Sequence, residues 1–179
     1  MGDRIAVSGS AGVGKTTLAR ALAERLDVPY IGEGMREYLE RTGANLHDLG
    51  PTGVRSVVLA LWEERKALEA AARDGFVADR SSYDFVAFWL YYHFAAPDRD
   101  TERLFAEALA PGRYDRVYVL PWGRIPLVDD GVRTPNPYTQ LHLQLLVEGV
   151  LGRHAPEAVH LATEGVEARV AEVLADRGR

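Results

Sequence analysis

The sequence predicts an α/β fold in which helices cover both faces of a five-stranded parallel sheet. Five short segments rich in β-branched and aromatic residues alternate with segments of helical periodicity. This alternation is typical of parallel sheets built from strand–helix units. The chain has 179 residues, which is the size of one ordinary domain. We therefore expect one domain, residues 1–179, without an internal repeat or an interdomain linker.

Apolar runs and helical periodicity give the expected elements in chain order. The predicted strands are Arg4–Ser8, 28–31, 76–78, 116–120 and 158–161. Apolar residues spaced three and four apart predict the helices. These are Lys15–Leu26, 34–41, 54–73, 82–94, a helix capped by Asp100 or Thr101 that ends near 109, 138–151 and Val166–Arg177. Two loops remain, 43–53 and the proline-rich 121–137, and long loops inside a domain are usually functional.

Composition excludes several classes of protein. The net charge of −5 argues against a general nucleic-acid binder, which would normally carry a basic face. The absence of cysteine excludes disulfides, thiolate metal sites and cysteine nucleophiles. No apolar run approaches the roughly 18 residues that a membrane span requires. We expect a cytoplasmic protein, a monomer or a homodimer, that binds neither nucleic acid nor a membrane.

A glycine-rich segment after the first strand matches G-x-x-x-x-G-K-[ST] at every fixed position. Glycines let backbone N–H groups surround phosphate oxygens, and the helix that follows adds a positive dipole. The lysine would neutralise the β- and γ-phosphates, and the threonine hydroxyl would bind Mg²⁺. The sequence therefore predicts a single P-loop NTPase domain that binds ATP or GTP with Mg²⁺. The expected nucleotide-binding residues are Gly9, Ser10, Ala11, Gly12, Val13, Gly14, Lys15, Thr16 and Thr17.

Charged residues also follow the second and third strands, at the sheet edge where α/β proteins gather their chemistry. Glu33 can act as general base toward an acceptor hydroxyl, and Arg36, one helical turn on, can hold a polar acceptor. The alternative is a capping Glu33 and a solvated Arg36. Asp79 follows an apolar strand, as a Walker-B acid does, and would hold Mg²⁺ together with Thr16. It could instead be the base, or simply the N-cap of the next helix.

Arginines and one further acid complete the predicted site. Arg80 can reach the transferring phosphoryl group. The loop 121–137 also contains Arg124, Asp129 and Asp130, and it suits a lid that excludes water while Arg133 stabilises charge on the phosphoryl group. An irregular surface loop is the alternative. The expected catalytic residues are Lys15, Glu33, Asp79, Arg80 and Arg133, the substrate-binding residues are Glu33, Arg36 and Asp84, and the metal ligands are Thr16 and Asp79.

Aromatic residues recur at helical spacing on the fourth predicted helix, at Phe85, Phe88, Trp89 and Tyr92. We interpret them first as a core stripe and second as a ring-stacking pocket for an acceptor. The five histidines are scattered, so we expect no metal other than Mg²⁺.

Four segments together resemble one family, the NadR-like and AAA_28-type P-loop ATPases and kinases. The segments are 9–17, 33–39, 79–81 and 130–133. This group includes ribosylnicotinamide kinases and is similar in plan to nucleoside and nucleoside-monophosphate kinases. The resemblance implies that Glu33 or Asp79 handles the acceptor hydroxyl, that Arg80 and Arg133 contact phosphates, and that adenine lies near 162–165. It does not identify the acceptor, because the members of the group differ in substrate.

The leading hypothesis from the sequence is a kinase that moves the γ-phosphoryl group of ATP to a small nucleoside- or nucleotide-like acceptor. The alternative is an ATP-binding regulatory switch without such an acceptor. A Ras-like GTPase is excluded, since its N-K-x-D motif needs a lysine and the chain has only Lys15 and Lys66.

Overall fold

The structure is a computed structural model, and it describes residues 2–44, 48–125 and 136–178. The strands in these ranges are β1 (Arg4–Ser8), β2 (Tyr30–Ile31), β3 (Phe76–Asp79), β4 (Arg116–Val119) and β5 (Val159–His160). The helices are α1 (Lys15–Leu26), α2 (Met35–Thr42), α3 (Gly50–Ala71), α4 (Ser82–Tyr91), α5 (Arg99–Ala108), α6 (Pro137–His154) and α7 (Val166–Arg177).

The five strands form one parallel sheet in the order β2-β3-β1-β4-β5. The central strand β1 pairs with β3 up to Val7↔Asp79 and with β4 up to Ser8↔Val119. The carboxyl ends of β1 and β3 therefore lie side by side. This edge of a doubly wound sheet is the usual place for a ligand, and the predicted fold class is confirmed.

Alternate residues of the central strands bury both faces of the sheet, as strand geometry requires. Ile5 and Val7 are fully buried in the core cluster that includes α1 and α7. Ala6 and Phe76 pack into the cluster on the other face, with α3, α4, α5 and α6. Two-sided burial explains why the central strands read as continuous apolar runs rather than as alternating patterns.

Two helices begin earlier than predicted. α3 starts at Gly50 rather than 54, with Pro51 in its first turn, and α6 starts at Pro137. Proline is well tolerated there, because N–H groups of the first turn have no partner inside the helix. The side chain of Asn136 caps α6 by accepting from the Tyr138 and Thr139 amides. The first predicted loop therefore ends at 49 rather than 53.

The boundary between α4 and α5 also differs from the prediction. α4 ends at Tyr91, three residues before the predicted end, and His93 follows with a left-handed φ of 58°. The N-cap of α5 is Asp98, whose carboxylate accepts from the Thr101 amide at 3.0 Å. The predicted caps Asp100 and Thr101 are therefore wrong, and both lie inside the first turn of α5. The edge strands β2 and β5 have only two residues each, whereas the sequence predicts four.

None of the helices in the described ranges is long and apolar enough to cross a lipid bilayer.

Candidate functional site

The glycine-rich loop between β1 and α1 needs glycine at its two ends for a physical reason. Gly9 has a φ of 132°, and a Cβ there would lie 3.0 Å from the carbonyl oxygen of Leu120. Gly14, the N-cap of α1, has a φ of 94°, and its Cβ would lie 3.2 Å from the Arg169 guanidinium. Only glycine adopts these conformations without strain. The loop therefore holds the shape in which its backbone amides can surround an anion.

Lys15 is the first residue of α1 and is nearly buried, with 5% of its surface exposed. Its ammonium donates to the carbonyl oxygen of Ser10 at 2.5 Å. Burial and, next in size, the positive charge of Arg80 together lower the pKa of Lys15 to about 7, although nearby carboxylates led by Asp79 oppose both effects. The lysine thus sits in the loop as a poorly solvated cation that a polyanion would stabilise.

Thr16 and Asp79 lie together at the ends of α1 and β3, as the predicted metal site requires. The Thr16 hydroxyl donates to Asp79 Oδ2 at 2.5 Å. The other oxygen, Asp79 Oδ1, is buried and has no hydrogen-bond partner in the described part of the chain. A carboxylate oxygen without a partner beside a hydroxyl fits the ligand preference of Mg²⁺.

Within residues 2–44, 48–125 and 136–178 no group of three acidic, histidine or cysteine side chains could hold a metal ion by itself. A Mg²⁺ at Thr16 and Asp79 would therefore need water and the phosphates of a nucleotide to complete its coordination, as is usual for this ion.

A cluster of the buried Arg80 and Asp84 with the partly exposed Glu33 lies beside the loop. Arg80 is 2% exposed, and its Nε lies 3.2 Å from Glu33 Oε1. Its Nη1 lies 3.6 Å from Asp84 Oδ1 and donates to the carbonyl oxygen of Gly9 at 3.4 Å. The guanidinium also lies over the Phe88 ring, 4.5 Å from its centre. Burial lowers the pKa of Arg80, but the carboxylates of Glu33 and Asp84 outweigh this and raise it, so the residue stays charged.

Asp84 ties the start of α4 to the start of the glycine-rich loop. Its Oδ2 accepts from the amide and hydroxyl of Ser81 and from the hydroxyl of Ser8, all within 2.8 Å. Ser81 is the N-cap of α4 and forms a capping box with Asp84. The alternative role of Asp79 as that N-cap is therefore wrong. Asp84 is fully buried and holds internal partners, so its contact with a substrate stays a prediction.

An apolar pocket opens on the far side of the Glu33–Arg80 pair. It measures about 20 Å³, which is room for about one water molecule, so a larger ligand requires its walls to shift. The residues of the predicted aromatic stripe lie in two places. Trp89 is fully buried in the core, whereas the stacked rings of Phe88 and Tyr92 line the pocket. The apolar walls are Met35, Val58, Leu61, Phe85, Phe88 and Tyr92.

The remaining predicted residues are Arg36, Arg124 and those of the predicted lid. Arg36 is exposed on α2. Arg124 is exposed and pairs with Glu164 at 3.4 Å, near the loop 162–165. Asp129, Asp130 and Arg133 lie outside the described residues, as does most of the predicted lid.

Three buried side chains support the site and were not predicted from the sequence. Arg65 donates to backbone carbonyls at the ends of β2 and β3. Gln144 accepts from the Ser10 amide at 2.7 Å and so connects α6 to the glycine-rich loop. Arg169 donates to the carbonyl oxygens of Val13 at 3.0 Å and Thr163 at 3.1 Å, which joins that loop to the segment after β5.

The sheet order, the glycine-rich loop and the acid at the end of β3 define a P-loop nucleotide-binding fold of the kinase type. A family model described as an AAA domain, AAA_28, matches residues 4–169. The chain belongs to this family. A search of curated protein sequences found no match.

Solved structures with the same fold include kinases and a NadR protein. NadR in complex with NR is 23% identical with a TM-score of 0.72, over 99% of this chain and 52% of that one. Thymidylate kinase from Ehrlichia chaffeensis is 16% identical with a TM-score of 0.69, over 99% and 100% of the two chains. Deoxyadenosine kinase from M. mycoides with bound dATP is 14% identical with a TM-score of 0.68, over 98% and 100%. At these identities the likeness shows the fold, and the chain spans about half the length of NadR.

Proposed function

We propose that this protein is a small-molecule kinase that uses ATP and Mg²⁺ to phosphorylate a nucleoside- or nucleotide-like acceptor. One observation carries the proposal. Buried Arg80 contacts the backbone of the glycine-rich loop at Gly9 and also forms, with Glu33, the polar end of an apolar pocket. A group that borders both a phosphate site and a second binding site is what phosphoryl transfer between two ligands requires.

The donor side of the site would be formed by the glycine-rich loop, Lys15, Thr16 and Asp79. Loop amides and the Lys15 ammonium would neutralise the β- and γ-phosphates of ATP. Thr16 and Asp79 would hold Mg²⁺, which when bound neutralises charge that develops on the phosphate oxygens. Positioning and charge neutralisation account for most of the catalysis in such sites, because the protein performs little covalent chemistry.

On the acceptor side, Glu33 is better placed than Asp79 to act as base. Asp79 is almost fully buried and already accepts from Thr16, whereas the Glu33 side chain is 21% exposed and borders the pocket. In the proposed step, the Glu33 carboxylate takes the proton of an acceptor hydroxyl. The acceptor oxygen bonds to the γ-phosphorus, the bond to the β–γ bridging oxygen breaks, and ADP leaves. Arg80 stays charged near neutral pH and would stabilise the oxygens of the phosphoryl group during its transfer.

The class of acceptor is inferred from the pocket walls and from the relatives. Phe88 and Tyr92 line the pocket with aromatic rings, and contacts between aromatic groups are favourable. The structures with this fold include NadR in complex with NR, a deoxyadenosine kinase and a thymidylate kinase. Both observations favour an acceptor that joins a hydroxyl or phosphate to a ring.

The test is ADP release by the purified protein with Mg²⁺ and ATP, measured with and without a panel of nucleosides, nucleoside monophosphates and nicotinamide riboside. We expect one class of acceptor to stimulate ADP release and to gain the mass of one phosphate. Slow hydrolysis that is indifferent to every acceptor would contradict the kinase and support an ATP-binding switch.

The role of Glu33 has its own variant. Glu33→Gln keeps the shape of the side chain but removes the base, so transfer is expected to fall about 10²- to 10⁴-fold while the affinity for ATP changes little. Glu40→Gln, at an exposed position on the neighbouring helix α2, is the matched control and should transfer at the wild-type rate. Full activity of Glu33→Gln would remove Glu33 as the base.

A further inference from the structure

Arg65, in the second half of α3, is a buried cation whose partners are backbone carbonyls. It is 2% exposed. Its Nη2 donates to the carbonyl oxygens of Gly32 and Asp79, both at 2.8 Å, and its Nη1 donates to that of Arg80 at 3.2 Å. Among the described residues it has no carboxylate partner. A buried charge is costly unless it is paired or well hydrogen-bonded, and here three carbonyl dipoles take the place of a counter-ion.

The three carbonyls belong to the ends of two strands that carry the proposed chemistry. β2 pairs with β3 only through Tyr30↔Val77 and Ile31↔Ala78. The ladder therefore ends one residue before Gly32 and Asp79, where the backbone leads into Glu33 and the metal site. Arg65 bridges the two strand ends beyond the last ladder pair.

The third carbonyl belongs to a residue in an unfavourable conformation. Arg80 has a φ of 79°, and a left-handed conformation is unfavourable for a residue with a side chain. Such conformations persist where the surroundings fix them, and they concentrate at functional sites. Arg65 donates to the Arg80 carbonyl, while the Arg80 side chain turns back toward Gly9 and Glu33.

We infer that Arg65 is a positioning residue that fixes the separation of Glu33 from Asp79 and the direction of Arg80. The inference rests on the proposed function, since those three residues are its proposed base, metal ligand and phosphoryl contact. A planar fork with several donors suits this task, because one guanidinium can hold three acceptors in fixed directions. A lysine would keep the charge but could not reproduce the fork.

The test compares Arg65→Lys and Arg65→Met with the wild type by two measurements. The first is steady-state transfer to the best acceptor of the panel. We expect kcat of Arg65→Lys to fall about 100-fold with little change in KM for ATP, since misplacement by about 1 Å costs this much. The second is calorimetry of ATP binding with and without Mg²⁺. We expect the gain in affinity that Mg²⁺ gives to fall about tenfold, as for other residues behind a metal ligand, while Mg²⁺-free affinity stays within threefold.

Arg55→Lys is the matched control. Arg55 is also an α3 arginine, but it pairs with Asp98 at 2.6 Å and lies over the Trp89 ring, away from the strand ends. It should leave both measurements unchanged. A merely structural role for Arg65 would lower the melting temperature and weaken ATP binding equally with and without Mg²⁺, and that result would overturn the inference.

The two proposals fail separately in this design. If the wild type phosphorylates no acceptor, the proposed kinase activity is refuted. The gain in ATP affinity that Mg²⁺ gives still tests the positioning role of Arg65. If Arg65→Met does not fold, Arg65→Lys carries the test, because it retains the charge and much of the volume. Wild-type kcat and an undiminished effect of Mg²⁺ in Arg65→Lys would overturn the role of the fork.

Discussion

Without a bound nucleotide, the buried ammonium of Lys15 should make the protein less stable than a variant that lacks this charge. Its side chain is 5% exposed and its one described hydrogen bond is to the Ser10 carbonyl. Burial, followed by the charge of Arg80, lowers the pKa of Lys15 from 10.5 to about 7. A pKa that is lowered on folding means that the folded state holds this proton less tightly than the unfolded chain does.

The sign and size of the effect follow from that difference. Between pH 7 and 10.5 the unfolded chain binds more protons at this position, so stability rises with pH through this window. A pKa of 10.5 in the unfolded chain and about 7 in the folded one corresponds to a cost of about 5 kcal/mol at low pH and about 4 kcal/mol at pH 7. By pH 9.5 the cost has fallen to about 1 kcal/mol.

Lys15→Met keeps most of the length of the side chain and removes the charge. The lost hydrogen bond offsets about 1 kcal/mol of the gain, so we expect the variant to be about 3 kcal/mol more stable than the wild type at pH 7. This corresponds to about 6–12 °C in melting temperature for a chain of this size. Thermal unfolding followed by circular dichroism, without nucleotide or Mg²⁺, measures the difference at pH 7 and again at pH 9.5, where it should nearly vanish. Added Mg²⁺ and ATP should stabilise the wild type and not the variant.

The only other lysine provides the control. Lys66 donates to Glu107 at 2.6 Å and lies 2.9 Å from Glu63. Burial lowers the pKa of Lys66, but these two carboxylates outweigh it and raise the pKa. Lys66→Met should therefore bring no gain in stability at pH 7. The reasoning is refuted if Lys15→Met is less stable than the wild type, or if its gain is the same at both pH values.

Three further substitutions separate the parts of the site. Asp79→Asn should keep Mg²⁺-free ATP affinity and lose most of the gain that Mg²⁺ adds, measured by calorimetry; an undiminished gain would exclude Asp79 as a metal ligand. Phe88→Ala should raise KM for the acceptor about tenfold, the size expected for a lost ring contact, with ATP affinity unchanged; the reverse pattern would place the ring on the donor side. Arg169→Met removes hydrogen bonds to Val13 and Thr163 and should cost about 2–3 kcal/mol in unfolding free energy. The variant should also weaken ATP binding more than tripolyphosphate binding. Equal losses of affinity would argue that the segment after β5 does not contact the adenine ring.

Sequence reasoning succeeded where structure depends on neighbours along the chain. The helix Lys15–Leu26 and the strand Arg4–Ser8 have the predicted bounds, because a buried strand and an amphipathic helix each carry their own periodicity. The glycine-rich loop joins them directly, so its position follows from the motif. Bounds were missed at α4 and α5, where His93 turns the chain and Asp98 caps the helix, because several residues nearby had similar capping chemistry.

The supporting residues of the site could not be predicted from the sequence, and the reason is physical. Arg65, Gln144 and Arg169 act largely on backbone groups, which every residue type supplies and which leave no mark in the sequence. Their partners are also distant along the chain, since Gln144 lies 134 residues from Ser10 and Arg169 lies 156 from Val13. Glu33 and Asp79, in contrast, could be predicted as site residues from the sequence, because each follows an apolar run that predicts a strand.

The internal contacts of Lys15 and Thr16 indicate how a nucleotide would bind. Lys15 donates to a carbonyl of its own loop and Thr16 donates to Asp79, so the groups that would contact phosphate and Mg²⁺ already have hydrogen-bond partners within the protein. Binding Mg²⁺ and ATP would then exchange internal partners for ligand oxygens rather than order a disordered loop. Because the exchanged contacts include a buried cation with a lowered pKa, the gain should come mostly from charge neutralisation. The same reasoning explains why Lys15→Met should both stabilise the empty protein and abolish its response to ATP.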